Sequence, residues 1–346
     1  MLLVPRARRT ALPLVAALSL LAAAPETAPR PPAPALGLDM NLPATASPAE
    51  RQRSYELVRR TGVTLLAMTL SWSAAEPSPH KYKVDEITRT ARQLRQSGAV
   101  LHLDLPLVVG RSRDVPSDLE TVAFDDSRLS LRLGRLLNAL EPALHDISTI
   151  SLGYEADAYF ADKPDELRAY RRLFDGAVSF LAKRFPRLKV GVTTAAPTES
   201  PAPAVAALLH QRSPVLFYIY SPFAEGKPYW HRNPDAVEKD WETLLEAAGD
   251  RPIAFPEVSY SSSSENGSTP EKQAEFVRRM RRLLSAADGR QILFARWVSW
   301  RDTAADAASD VSEIARRRDA YFAHRGLQEP DGTAKAAWRA WLKAGA

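Results

Sequence analysis

Two glutamates, Glu155 and Glu257, each follow a short apolar run and lie in separate parts of the chain. Two carboxyl groups held near one another can act as a proton donor and as a nucleophile, the two roles that cleavage of a glycosidic bond requires. In the retaining reaction the carboxyl groups lie about 5–5.5 Å apart, and the donor needs a raised pKa to stay protonated near neutral pH. This chemistry therefore depends on the elements that position Glu155 and Glu257.

The rest of the sequence alternates between apolar, strand-like segments and amphipathic, helix-like segments. The eight predicted strands cover residues 36–42, 64–70, 100–109, 148–153, 189–194, 215–220, 253–258 and 291–300. Helix starts between them carry capping signals, such as Ser47 with Glu50 before the first helix and Thr269 before the seventh. Strands that are apolar throughout are typical of parallel sheets covered on both faces. The pattern predicts an α/β protein with one (β/α)8 TIM-barrel domain over residues 36–346.

A doubly wound open sheet is the alternative arrangement for alternating strands and helices. It is less well supported, because such sheets carry a glycine-rich phosphate loop after the first strand. Here Met40-Asn41-Leu42-Pro43 stands at that place.

In a TIM barrel the functional residues lie in the loops that follow the strands. Glu155 and Glu257 end the fourth and seventh predicted strands, which lie nearly opposite one another across the mouth of the barrel. Aromatic and acidic side chains also occur at the strand ends, and the apolar faces of sugar rings pack on aromatic rings. The candidate substrate-binding residues are Trp72, Tyr154, Asp157, Tyr218, Tyr220, Trp297 and Trp300. We expect a carbohydrate substrate.

His102 and Asp104 are two residues apart on the third predicted strand and therefore point to the same side. They could begin a metal site, but no third histidine stands convincingly at another strand end, so a polar layer inside the barrel mouth is the favoured interpretation. The sequence contains no cysteine, which excludes thiolate metal sites and disulfides. We expect no metal ligands and no cofactor, and keep a metal-dependent hydrolase as a weaker alternative.

The pattern resembles the glycoside hydrolase clan A, the 4/7 clan, and in particular its cellulase-like and endo-galactanase-like barrels, without matching one family. The carrying segments are 72–77, Gly153-Tyr154-Glu155, 256–260 and 297–302. The resemblance implies that Glu155 is the general acid/base and Glu257 the nucleophile. It also implies that Tyr220 approaches the nucleophile and that a tryptophan of strand eight forms the floor of the subsite at the cleaved bond.

One position departs from the pattern of the clan. The residue before the acid/base is usually an asparagine that bonds the 2-hydroxyl of the substrate, and here it is Tyr154. The sequence therefore supports two hypotheses. The first is an exported retaining glycoside hydrolase acting on a poly- or oligosaccharide; the second is a catalytically impaired barrel that only binds carbohydrate.

The overall charge gives little evidence for a nucleic-acid partner. The net charge is +5 and the isoelectric point about 9.4, but many of the arginines lie on predicted helix faces. No basic patch interleaved with aromatic residues is present, so we expect no nucleic-acid partner. The oligomeric state stays open.

The first residues have the pattern of a secretory signal peptide. Arginines precede an apolar run that ends in Ala22-Ala23-Ala24, a small-residue cleavage site. We predict a signal peptide over residues 1–24 and a Pro/Ala-rich linker over residues 25–35, with an uncleaved membrane anchor as the alternative. No other segment has the pattern of a membrane span, so the expected location is secreted or periplasmic.

Overall fold

The structure, a computed structural model, describes residues 32–42, 47–303 and 312–343. The predicted signal peptide, and the predicted linker up to residue 31, lie outside the described residues. None of the described helices is long and apolar enough to cross a membrane.

The strands form one parallel sheet that curls into a barrel. They are β1 (Ala35–Leu38), β2 (Leu65–Thr69), β3 (Val100–Asp104), β4 (Thr149–Ser151), β5 in two pieces (Lys189–Gly191 and Thr193–Ala195), β6 (Leu216–Tyr220), β7 (Ile253–Val258) and β8 (Ile292–Trp297). The first piece of β5 pairs with β4 and the second with β6, while β1 pairs with β8. The nine strand segments thus form a nearly closed ring whose two ends meet at Val192. The barrel prediction is confirmed.

Helices cover the outside of the barrel and part of its mouth. They are α1 (Pro48–Arg59), α2 (Trp72–Ala75), α3 (Asp85–Gln96), α4 (Ser127–Ala139), α5 (Glu141–Leu144), α6 (Ala156–Asp162), α7 (Leu167–Arg184), α8 (Pro203–His210), α9 (Ala236–Ala248), α10 (Pro270–Ala286), α11 (Glu313–Ala323) and α12 (Ala336–Lys343). The predicted caps are confirmed, because Ser47 and Glu50 make both bonds of a capping box and Thr269 accepts from the Lys272 N–H.

Three additions to the barrel shape its mouth. Two are hairpins: Val108–Val109 with Ser112–Arg113 after β3, and Phe223–Ala224 with Lys227–His231 after β6. The third is α11, in a stretch where the sequence predicts only irregular chain. The strands of the hairpins are only two to five residues long, and α11 has a weak apolar periodicity, which explains why they are missed.

The alternation of side chains along the strands decides what reaches the mouth. In the barrel centre the His102 ring lies 5.1 Å from the rings of both Phe217 and Phe294. Successive residues of a strand point to opposite faces, so Tyr218 and Tyr220 of β6 point out toward the helices, and so does Trp297 of β8. His102 also bonds Thr149 and Asp104, so this pair belongs to a buried polar layer.

Candidate functional site

Glu155 lies at the turn between β4 and α6. Its backbone is left-handed, with φ 50° and ψ 40°, and α6 begins at the next residue. A non-glycine residue in this region is strained, and such residues concentrate at functional sites, where the surrounding structure holds them. The turn directs the Glu155 side chain to the mouth of the barrel, where it is exposed to solvent.

The hairpin after β3 holds this turn in place. The Tyr154 N–H donates to the Val108 carbonyl at 2.9 Å, and the Gly110 N–H donates to the Tyr154 carbonyl at 2.9 Å. Gly110 itself has a left-handed φ of 55°, and a Cβ at this position would lie 3.3 Å from Oε2 of Glu155. The hairpin therefore extends the pairing of β4 by one parallel bridge and packs directly against the Glu155 carboxyl group.

Glu257 reaches the mouth through an irregularity in β7. Three steps along β7, from Phe255 to Val258, match only two steps along β8, from Ala295 to Trp297. Phe255 and Val258 both pack in the outer hydrophobic cluster. An extra residue in a strand re-aims the side chains around it, and here it leaves Glu257 facing the mouth with 8% of its surface exposed.

Both carboxylate oxygens of Glu257 are engaged by hydrogen-bond donors. The Tyr154 hydroxyl donates to Oε2 at 2.6 Å, and the Arg325 guanidinium donates to Oε1 at 2.5 Å. The Ser259 hydroxyl lies 3.5 Å from the same Oε1. Donors that include a cation make strong, well-oriented bonds to a carboxylate, so the position of the Glu257 side chain is fixed.

The two glutamates have different electrostatic environments. The pKa of Glu155 is raised, first because the surrounding protein displaces water around it, then because of the negative charges of Glu257 and Asp157, against the opposing effect of Arg325. The Glu155 side chain is accessible to solvent, although protein atoms surround it closely enough to displace much of the water. Glu155 therefore lies within range of the charge of Glu257 and retains its proton more readily than a glutamate free in solution does.

The Tyr154 hydroxyl is held in its protonated form. Burial and the neighbouring Glu257 raise its pKa well above the usual value for tyrosine. It therefore remains protonated and can donate a hydrogen bond to Glu257 at neutral pH.

The structure corrects the expected position of Tyr220. Its hydroxyl donates to Oδ2 of Asp240 in α9 at 2.8 Å, away from Glu257. The reason is the alternation along β6, which turns Tyr220 outward. Tyr154, the residue that departs from the pattern of the clan, makes the bond to Glu257 instead.

The other candidate binding residues are packed inside the protein. Trp72 donates to Glu76, Trp297 donates to the Arg325 carbonyl, and Trp300 packs on Trp338. Tyr218 packs edge-on against His210, and Asp157 accepts from the Ser200 hydroxyl. All five are less than 5% exposed. Of the candidate binding residues, only Tyr154 directly contacts either glutamate.

Sequence reasoning missed Arg325, Tyr229 and Phe322. Arg325 follows α11, and its guanidinium carbon lies 4.8 Å from the Phe322 ring while its Nη1 bonds Glu257. Tyr229 belongs to the hairpin after β6, and its pKa is raised by burial and then by the charge of Glu155. No motif marks these positions, because one arginine among 46 basic residues carries no signal.

The described residues contain no group of three or more histidine, aspartate or glutamate side chains that could hold a metal ion. The polar groups that meet at this site include the two glutamates and the hydrogen-bond donors to Glu257. These side chains come from the ends of β4 and β7, from the hairpins and from the segment after α11.

Comparison with known proteins agrees with this architecture at the level of the fold. No protein-family model matches the sequence, and no curated protein matches it significantly. A GH5_18 protein from Bifidobacterium longum, solved with Manβ1-4GlcNAc, superposes with a TM-score of 0.67 at 13% identity, covering 90% of this chain and 78% of that one.

Two further solved structures belong to other glycoside hydrolase families. Xylanase10C from Cellvibrio japonicus, in complex with xylopentaose, has a TM-score of 0.63 at 11% identity, covering 91% of this chain and 68% of that one. A family 39 glycoside hydrolase from Bacteroides cellulosilyticus has a TM-score of 0.61 at 15% identity, covering 90% and 64%. The chain therefore has the (β/α)8 barrel fold of the clan A glycoside hydrolases, and no single family is assigned to it.

Proposed function

We propose that the protein is a glycoside hydrolase that acts on a poly- or oligosaccharide with retention of configuration. Glu155 protonates the oxygen of the leaving group while Glu257 attacks the anomeric carbon and forms a glycosyl-enzyme. Glu155 then takes a proton from the water molecule that hydrolyses this intermediate. The reaction uses no cofactor, since both carboxyl groups come from the chain.

The observation that carries this proposal is the contrast between the two carboxyl groups. Glu155 is solvent-exposed, has a raised pKa and makes no ion pair with any residue that the structure describes, which suits a proton donor. Glu257 is fixed by Tyr154 and Arg325, which suits a negatively charged nucleophile. A carboxyl group with a raised pKa beside a second carboxyl group that is held by hydrogen-bond donors is the arrangement expected of an acid and its partner.

The experiment compares Glu155→Gln and Glu257→Gln with the parent on β-linked oligosaccharides, including Manβ1-4GlcNAc and xylopentaose, the ligands seen in the structural neighbours. We expect each variant to lose activity by roughly a thousandfold, within the range that a positioned acid or base contributes. Product analysis by NMR checks that the configuration is retained. Glu265→Gln, an exposed glutamate of the loop after β7, serves as the matched control and retains activity.

A second set of reactions separates the two roles. Aryl glycosides with good leaving groups need little protonation, so Glu155→Ala should still form the glycosyl-enzyme on them and accumulate it. Glu257→Gly should recover turnover with azide, which attacks from the vacated face. If both variants respond identically to leaving group and azide, the assigned roles are wrong.

The second candidate function is a carbohydrate-binding barrel without turnover. It is favoured by Tyr154, which stands where the clan has asparagine and donates to Glu257, so that the usual donor to the 2-hydroxyl is missing. Under this hypothesis the parent binds oligosaccharides, and neither glutamine variant differs from it in a hydrolysis assay.

We further propose that the protein is exported and is either secreted or periplasmic. The support for this is the signal-peptide pattern of residues 1–24. Fractionation of expressing cells, with the N-terminus of the exported chain sequenced, tests it. Recovery of the full-length chain in the cytoplasm alone would contradict export.

A further inference from the structure

The aromatic residues expected to hold a sugar ring cannot reach one. Trp72, Trp297 and Trp300 are at most 2% exposed, and their rings pack against protein side chains. Tyr218 and Tyr220 face the helices for the reason given above. A substrate ring at this mouth must therefore find its apolar contact on another element.

Such a surface exists beside the two glutamates. Phe322, near the end of α11, is 44% exposed, and the ring of Tyr229, from the hairpin after β6, lies 6.3 Å from it. The planes of the two rings differ by 56°. We call this pair of rings the aromatic platform (Tyr229 and Phe322). One buried ring supports it from below, because Tyr321 lies 5.6 Å from Tyr229 and 5.2 Å from Phe322.

Hydrogen bonds attach both parts of the aromatic platform to the surrounding structure. Tyr229 has a left-handed φ of 60°, and its carbonyl accepts a hydrogen bond from the Asn266 side chain at 2.8 Å. The same asparagine amide donates to the Arg317 carbonyl of α11 at 2.8 Å. One buried side chain thus links the hairpin, the loop after β7 and α11, and preorganises both rings.

Each end of the aromatic platform lies near one of the two carboxyl groups. At one end Arg325 lies 4.8 Å from the Phe322 ring and bonds Glu257. At the other end Tyr229 lies within range of the Glu155 charge. A ring resting on Tyr229 and Phe322 therefore lies next to both carboxyl groups that the proposed reaction uses.

We propose that Tyr229 and Phe322 form a subsite for one pyranose ring of the oligosaccharide, adjacent to the bond that is cleaved. The apolar C–H face of the ring packs on the platform, and its hydroxyl groups face the polar groups at the mouth. The inference rests on the proposed function for the position of the cleaved bond. The binding of the sugar itself does not require that the protein turns it over.

The test measures oligosaccharide binding and hydrolysis in Phe322→Ala and Tyr229→Ala. The probes are Manβ1-4GlcNAc, xylopentaose and mannopentaose, and binding is followed by proton NMR and calorimetry. We expect Kd and KM to rise about tenfold in each variant, the effect of losing one aromatic stacking contact. Ring currents should shift the C–H protons of one bound pyranose ring upfield in the parent, and the shift should disappear in Phe322→Ala.

Two conservative variants and one control distinguish stacking from loss of structure. Phe322→Tyr and Tyr229→Phe keep the rings and should bind as the parent does. Ile314→Ala removes another exposed apolar side chain of the same helix, 52% exposed, and should leave Kd unchanged. Thermal unfolding of each variant checks that the fold is intact.

The outcomes separate this inference from the proposed function. If Glu155→Gln loses hydrolysis while Phe322→Ala and Tyr229→Ala keep the KM of the parent, the platform proposal is overturned and the glycosidase proposal stands. Binding that depends on the platform, without turnover in the parent, supports the platform and overturns the glycosidase. If none of the oligosaccharides binds or is cleaved, both proposals fail.

Discussion

At the scale of single residues, the mouth is organised by what Glu257 contacts. Tyr154 and Arg325 each occupy one of its oxygens, at 2.6 Å and 2.5 Å. Hydrogen bonds to a charged group contribute about 1.5–3 kcal/mol each, so the carboxylate has little freedom to rotate. A tyrosine at position 154 thus takes over the role that the resemblance assigns to Tyr220.

Replacing Tyr154 with phenylalanine should therefore impair catalysis. The change removes the donor to Oε2 of Glu257 and leaves the aromatic ring in place. We expect kcat to fall by roughly ten- to a hundredfold, the rate equivalent of losing a bond to a charged group. The measurement is steady-state hydrolysis of an aryl glycoside or an oligosaccharide that the parent cleaves.

Tyr220→Phe is the matched control for this prediction. It removes a tyrosine hydroxyl that bonds Asp240 instead of Glu257, so it should lower the melting temperature and leave kcat nearly unchanged. The assignment is contradicted if Tyr220→Phe lowers kcat and Tyr154→Phe does not.

At the scale of elements, two local irregularities bring the glutamates to one place. The extra residue in β7 re-aims Glu257, and the left-handed turn at Glu155 ends β4 and opens α6. The hairpin after β3 supports that turn through Val108 and Gly110. The regular parts of the barrel provide the frame, while departures from regularity position the chemistry.

Gly110→Ala should therefore disturb the site specifically. The new Cβ would sit in a left-handed conformation and 3.3 Å from the Glu155 carboxyl group, closer than most such contacts. We expect a loss of about 1–2 kcal/mol of stability from the backbone conformation and, in addition, a clear fall in kcat/KM. Chemical denaturation and steady-state kinetics measure the two effects.

Gly98→Ala provides the comparison. Gly98 also has a positive φ, 84°, but a Cβ there would meet no atom within 4 Å. It should lose a similar amount of stability and keep the activity of the parent. Equal kinetic effects in the two variants would show that the hairpin has no particular role at Glu155.

At the scale of the whole molecule, buried neutral histidines link stability to pH. Burial, with Arg251 nearby, lowers the pKa of His210 to about 3, and burial, with Lys272 nearby, lowers the pKa of His231 to about 3 as well. The unfolded chain takes up protons at these residues near pH 6.5, and the folded chain does not. Their contribution is complete above pH 6.5 and is lost as the pH falls toward 3.

We expect the free energy of unfolding to decrease as the pH falls below 6.5, with each histidine contributing about 2 kcal/mol of this loss by pH 5. His231→Gln can still accept the bond from the Ser261 N–H and has no proton to take up. Its stability should depend less steeply on pH than that of the parent between pH 6.5 and 4. Denaturant unfolding at a series of pH values measures both slopes, and equal slopes would contradict the prediction.

The fold and the two glutamates could be predicted from the sequence, because eight buried strands leave eight apolar runs and Glu155 and Glu257 end two of them. The aromatic contacts could not. Trp297 and Tyr220 lie at strand ends as expected, but both point outward, because Phe294 and Phe217, three residues earlier in the same strands, face the barrel centre. Tyr229, Phe322 and Arg325 come from a hairpin and a segment after α11, and side chains brought together by tertiary packing leave no periodic signal.

The bond between Tyr154 and Glu257 joins the ends of β4 and β7, which lie on opposite sides of the ring. The strands that lie between them set the distance between these two ends, so the bond depends on the barrel as a whole and not on a single strand and its helix. We therefore expect the native geometry of the mouth to require the closed ring. In a refolding experiment, recovery of the proposed activity should therefore follow closure of the ring and not the formation of individual helices.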